Sequence, residues 1–183
     1  MQNKNRKSIR MKSWNYSDPS DYFITICTHE RENLFGEVID GIMVLNNIGK
    51  IAQDCWYDLP NHYPHIYLDE FVIMPNHIHG VITILADDHI VGAGLNPAPT
   101  EKPYKLSEII RGFKTFSARK INEIKNTKGN PVWQRNYYEH IIRNQQSYDE
   151  IYAYILSNPQ TWDRDRNNPK NFQNNLQKNN SIV

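Results

Sequence analysis

The chain has 183 residues, 39% hydrophobic and 22% charged, the make-up of one globular domain long enough to bury a core. No apolar run approaches the roughly 18 residues of a membrane span, and the basic N-terminus (MQNKNRKSIRMKSWNY) lacks the apolar centre of a signal peptide. The net charge of +1 hides segregation: Lys4, Arg6, Lys7, Arg10 and Lys12 form a basic arm, a second basic region runs from Lys102 to Lys128, and Asp54, Asp58, Asp69, Glu70, Asp87 and Asp88 lie elsewhere. Such separation is either solvated surface or the footprint of a polyanion binder. Cys27 and Cys55 have no CxxC spacing, so a reduced cytoplasmic setting with both thiols buried is expected, a disulfide being the alternative.

Tyr22–Thr28 (YFITICT) is β-branched and aromatic and predicts a core strand. Leu34–Leu45 carries an Asp40-Gly41 turn between two short apolar runs, a hairpin signal. Asn46 or Asn47 can cap a helix to about Leu59, with Ile48, Ile51, Ala52 and Cys55 facing inward and Pro60 ending it. Ile66–Met74 and His77–Leu85 follow as two strands joined by a tight Pro75-Asn76 turn. Ala86–Lys105 has no periodicity and reads as a functional lid or a disordered insertion.

Leu106–Ile124 predicts an amphipathic helix with Leu106, Ile109, Ile110, Phe113, Phe116, Ile121 and Ile124 on one face. Its other face presents Ser107, Arg111, Lys114, Thr115, Asn122 and Lys125, either a solvated back or a phosphate-contacting surface. Val132–Ile142 predicts a strand with interleaved aromatic and basic residues. Ser147-Tyr148-Asp149-Glu150 fits a capping box, starting a helix that runs to Ser157 or Asn158 before Pro159. Residues 1–162 are expected to form one domain with the basic arm, and 163–183 a polar, Asn-rich, partly ordered tail. Without the small hairpin the order is βαββαβ plus a terminal helix, an α+β, ferredoxin-like arrangement with a central antiparallel sheet.

The chemistry gathers on the paired strands. His77 and His79 are two apart on one strand, so their rings project to one face while Ile78 points to the other. An H-x-H pair is a weak signal alone. It gains weight on an apolar strand, where a ring without a partner is costly to bury. An added oxygen ligand would make a site for Mg²⁺ or Mn²⁺. Tyr154 and Asn158, four apart, share a helix face, and Tyr148, Ile151 and Ile155 form the stripe that would dock that helix.

MPNHIHG (Met74–Gly80), followed by VWQRNYYEHIIRN (Val132–Asn144) and YILSNP (Tyr154–Pro159), resembles the single-tyrosine HUH transposases, and among them the REP-associated tyrosine transposases. The resemblance spans about Tyr16 to Trp162. It implies a metal-dependent endonuclease and strand transferase acting on single-stranded or hairpin DNA through a 5′-phosphotyrosyl intermediate. His77 and His79 match the metal-binding pair and Tyr154 the nucleophile. Asn158 stands where insertion-sequence relatives place a glutamine ligand, and the REP-associated branch has asparagine there. DNA contacts are expected from Arg111, Lys114, Arg135 and Arg143, from the basic arm, and from base stacking on Trp133, Tyr137 and Tyr138. Both a monomer and a homodimer fit the resemblance, with no membrane partner.

The alternative is a domesticated hairpin-DNA-binding protein without transposition. A histidine-triad hydrolase would need a histidine at Val81, and a two-histidine phosphoesterase a second H-x-[ST] copy, which the chain lacks. No GxxxxGK[ST] loop is present, consistent with chemistry that conserves bond energy and needs no ATP.

Overall fold

A computed structural model describes residues 18–86 and 104–171. The basic arm, nearly all of the Ala86–Lys105 stretch and the end of the expected tail lie outside these residues. Strand β1 (Ser20–Cys27) pairs antiparallel with β5 (His77–Ile84) on one side and β6 (Tyr138–Ile142) on the other, and β5 pairs antiparallel with β4 (Ile66–Met74). The order β4-β5-β1-β6 is the ferredoxin-like sheet expected from the element order. Strands β2 (Gly36–Ile39) and β3 (Ile42–Leu45) form a separate ribbon closed at Asp40 and Gly41, whose φ angles of 50° and 75° give the left-handed pair of a type I′ turn.

Strand alternation divides the molecule. Tyr22, Ile24 and Ile26 of β1 and Ile78, Ile82 and Ile84 of β5 are buried against Trp56 of α1 (Asn47–Tyr57) and Ile109 and Phe113 of α3 (Leu106–Lys125). Each such large apolar side chain contributes ~1.5–3 kcal/mol by leaving water. Phe23, Thr25 and Cys27 point to the other face, opposite Val81, His79 and His77 in register. There α4 (Gln145–Ser157) docks through Ile155, fully buried against Phe23, Val81 and Ile142, with Tyr148 and Ile151 beside it as the periodicity predicts. The Tyr148 hydroxyl donates to the Asp69 carboxylate on β4, pinning the start of that helix.

Several local expectations change. Asn46 caps α1, accepting from the backbone N–H groups of Ile48 and Gly49, but Pro60 does not end the helical path. It sits in the first turn of a short second helix, α2 (Leu59–His62), where its missing N–H leaves no helical bond unmade. Asn144, not Ser147, caps α4: its side-chain oxygen accepts from the Ser147 N–H. The strand expected over Val132–Ile142 forms only from Tyr138. Before it, Trp133 makes one bridge to Thr28 and sends its indole N–H to Ser117 Oγ at 2.9 Å. That bond draws Ser117 into the core, while Phe116 and Ile124, predicted inward, are exposed.

Gly80 is required by packing. Its Cα lies under the Trp56 ring, so an added Cβ would stand 2.5 Å from Trp56 Cζ2. The indole is fully buried, stacked on Phe71 at 4.7 Å, and has no room to retreat. Gly80→Ala is therefore expected to destabilise the fold by ~1–3 kcal/mol, read as a lower urea midpoint at unchanged slope.

Candidate metal and nucleophile site

The turn between β4 and β5 is the anchor. Asn76 is fully buried, and its amide nitrogen donates to the carbonyls of Arg31 at 3.0 Å and Asn167 at 2.7 Å. Two carbonyl partners fix the nitrogen end, so Asn76 Oδ1 faces His77 Nδ1 at 2.9 Å and accepts its proton. His77 Nε2 is then a lone pair. His79 Nδ1 lies 2.9 Å from Thr25 Oγ1 on the neighbouring strand, a hydroxyl able to accept its proton or to donate to it. Both Nε2 atoms turn toward each other and stand 3.0 Å apart. With its Nδ1 proton toward Thr25, His79 would offer a second lone pair there, and the two nitrogens could share one cation.

The environment keeps the rings neutral, the state a metal needs. Burial lowers His77 well below the usual imidazole value, with His79, Arg31 and Arg166 adding to it. Burial takes His79 down to about 3, helped by the charge of Arg166.

Helix α4 delivers Tyr154 to this pair. Its hydroxyl lies 3.1 Å from His79 Nε2, and its ring packs edge-on against Phe23. Burial raises the phenol's pKa and the Asp165 carboxylate raises it further, whereas Asn158 and Arg166 act to lower it. The other tyrosines of the helix are not in position: Tyr148 is bound to Asp69, and Tyr152 is exposed and stacked on Tyr148. The convergence of His77, His79 and Tyr154 occurs within one chain.

Asn158 is buried one turn beyond Tyr154, and neither atom of its amide completes a hydrogen bond. It lies close enough to favour the tyrosinate. An orphaned amide at this depth is unusual and suits a ligand, directly or through water.

The third close donor is one that sequence reasoning passed over. Residues Asp163–Asn171, the start of the expected tail, fold back over the site. Asp165 is buried with its carboxylate 3.7 Å from His77 Nε2, and ligand atoms of His77, His79 and Asp165 all lie within 4.8 Å of one another. The asparagines of this segment act as staples. Asn168 Nδ2 donates to the Trp162 carbonyl and Asn171 Nδ2 to those of Asp163 and Asp165, while the Asn167 side-chain oxygen accepts from Arg31. The available signal was Asp165 set between two arginines directly after a helix.

The predicted cationic contacts scatter. Lys114 is half-buried, and its ammonium donates to the carbonyls of Gln134 and Asn136, each at 3.0 Å. It ties α3 to the segment before β6, and burial brings its pKa down to about 8. Arg111 is exposed on α3, in the helical layer across the sheet from the histidines. Arg143 follows the end of β6 that pairs with Asp21, away from the Thr25–His79 level. Arg135 lies at the histidine end, next to Gln134, whose N–H bonds the Cys27 carbonyl. Arg164 and Arg166 instead line the cleft of about 460 Å³ with Phe23, Thr25, His79, Tyr138, Tyr154 and Asp165.

His77, His79 and Asp165 form a cluster whose ligand atoms could hold a metal ion, and the Tyr154 hydroxyl lies beside it on a cleft lined by His79, Tyr154 and Asp165. The backbone matches that of a REP-associated tyrosine transposase solved bound to a REP hairpin, with a TM-score of 0.53 at 18% identity, covering 82% of this chain and 73% of that one. The fold is that of this transposase class. A Deinococcus radiodurans structure superposes at a TM-score of 0.46 and 14% identity over 80% of this chain and 96% of its own, below the level that establishes a shared fold. No protein-family model matches. A Haemophilus influenzae protein of unassigned function is 44% identical over 172 residues, 88% of this chain and 92% of its own length, and the chain belongs to the same family.

The donor set predicts a measurable affinity. Saturating Mn²⁺, at ~100 times its dissociation constant, should stabilise the wild type by ~2.7 kcal/mol, seen as a raised melting temperature. His79→Ala should abolish the shift. Asp165→Asn should weaken binding ~10-fold or more by calorimetry; unchanged affinity would remove Asp165 from the ligand set.

Proposed function

We propose that this chain is a divalent-metal-dependent nickase and strand transferase for single-stranded hairpin DNA, with Tyr154 as nucleophile. The observation that carries the reading is the Tyr154 hydroxyl lying 3.1 Å from a buried, neutral imidazole that faces a second one. Packing alone would not require a phenol to point at a buried imidazole at the edge of a cleft.

His77, His79 and Asp165 would hold the ion, with Asn158 within reach as a further ligand. When bound, Mn²⁺ or Mg²⁺ supplies positive charge that neutralises a phosphodiester's anionic oxygens and favours the tyrosinate. The protein's own part is positional. Ile155 seats α4, so the Tyr154 oxygen is held at the cleft floor rather than swinging in solvent. Attack by Tyr154 Oη forms a phosphorus–oxygen bond as the bond to the 3′ oxygen breaks. The phenolic proton leaves to solvent and the departing 3′ oxygen takes one up, giving a 5′-phosphotyrosyl link and a free 3′-hydroxyl. A phenolate leaves better than an alkoxide, so that hydroxyl or another strand's can reverse the step without ATP.

The hairpin in the solved transposase is that protein's ligand, and it supports hairpin DNA as the substrate class here. Arg135, exposed next to Gln134, and the exposed Tyr138 ring, which lines the cleft, would meet a strand entering it.

The test uses hairpin DNA labelled at the 3′ end, incubated with the protein and Mn²⁺ and run on a denaturing gel. A covalent adduct is expected with the wild type and a loss of at least ~10³-fold with Tyr154→Phe, as for removal of a nucleophile. An adduct persisting in Tyr154→Phe would displace that residue. Tight hairpin binding without cleavage under any divalent ion would favour the domesticated DNA-binding alternative.

A further inference from the structure

The segment that carries Asp165 also carries an arginine with no structural duty. After the 3₁₀ turn Pro159–Arg164, Asp165 is extended (φ −63°, ψ 134°), so neighbouring side chains diverge. Asp165 turns inward, and Arg164 and Arg166 stay exposed and line the cleft with Tyr154 and His79. The backbone on either side of Arg166 is fastened. The Asn167 N–H donates to the Asp165 carboxylate, its carbonyl accepts from Asn76, and the Asn168 N–H bonds the Asp165 carbonyl at 3.0 Å. Asn167 and Asn168 are only 3% and 2% exposed. Arg166 thus stands on a rigid base, unlike an arginine on a free surface loop.

Among the described residues its guanidinium makes no hydrogen bond or ion pair. Arg31, nearby, is instead bonded to the Asn167 side chain. The charge of Arg166 nevertheless reaches Tyr154, His77 and His79. Uncommitted planar donors beside a nucleophile fit an oxyanion ligand better than a neutral one.

We propose that Arg166 binds the scissile phosphate, donating to a non-bridging oxygen beside the histidine pair and stabilising the charge that builds there as Tyr154 attacks. This rests on the nuclease reading for its catalytic part and on the cleft alone for its binding part. Arg166 is then a catalytic residue in the strict sense, touching the reacting group, whereas Asn167 and Asn168 position it.

The experiment compares full-length wild type, Arg166→Ala, Arg166→Lys and, as a control on the far helical layer, Lys120→Ala. Binding of a labelled hairpin with a single-stranded flank is followed against salt. Arg166→Ala should lower the salt slope by ~0.7, the value for one lost phosphate contact on a single strand, and Lys120→Ala should leave it unchanged. In single-turnover cleavage Arg166→Ala should slow adduct formation ~10²-fold, as removal of one oxyanion donor does, with partial recovery in Arg166→Lys. A methylphosphonate at the scissile position removes the charge Arg166 would meet, so there the wild type and Arg166→Ala should react alike. An unchanged Mn²⁺-induced melting shift in Arg166→Ala would show that the metal site is intact.

An unaltered salt slope overturns the proposal. So does a loss of rate that persists in full on the methylphosphonate. A wild type that forms no adduct defeats the nuclease reading, and the binding arm still decides whether Arg166 holds a phosphate.

Discussion

The site depends on one buried amide. Asn76 occupies a two-residue turn, yet its side chain reaches three parts of the chain: the imidazole next to it, the Arg31 carbonyl after β1, and the Asn167 carbonyl of the returning segment. Its own carbonyl also accepts from the Thr28 N–H, and the Pro75 carbonyl from those of Leu34 and Phe35. A fully buried amide with every group matched is rigid, because any rotation leaves a donor or acceptor unpaired at ~1–3 kcal/mol each. That rigidity sets the tautomer of His77, and with it the direction of the lone pair on which metal affinity depends. The same amide secures the segment that brings Asp165 and Arg166 to the cleft.

The sheet separates stability from chemistry by alternation. On one face Trp56 presses against Gly80 and stacks on Phe71 in a large apolar core. One residue away, His79 points to the opposite face with Thr25 behind it and Tyr154 above it. The second apolar cluster, with Phe23, Val81, Ile142 and Ile155, is small and serves to seat the tyrosine helix. The polar site is therefore supported by a core that it does not share. Its rings can stay desolvated while the cleft above remains open.

Much of this was legible in order and period. A β-branched and aromatic run predicted β1, apolar runs around the Pro75-Asn76 turn predicted β4 and β5, the Asp40-Gly41 pair predicted the ribbon, and the 3.6-residue period predicted α3 and the docking stripe of α4. The failures share a cause, which is that a tertiary partner overrode a local preference. Trp133 left the expected strand because its indole found Ser117. Lys114 stood on a helix face read as solvated or phosphate-contacting, and part of that face meets the carbonyls of Gln134 and Asn136. The asparagines after Asp163 read as tail composition, since short amides carry no period. They became staples once there were carbonyls to hold.

By itself the sequence determined the element order, the side of the strand on which both histidines stand, and the shared helix face of Tyr154 and Asn158. These follow from backbone periods of 2 and 3.6 residues, which every segment obeys wherever it packs. Only the tertiary structure decided that Tyr154 meets His79 within the same chain, that Asp165 joins the histidines, and that Arg166 rather than Arg111, Lys114 or Arg143 stands at the cleft. Those are contacts between residues far apart in the chain. They depend on how α4 and the segment after it lie across the sheet, which packing and buried hydrogen bonds set and local periodicity does not.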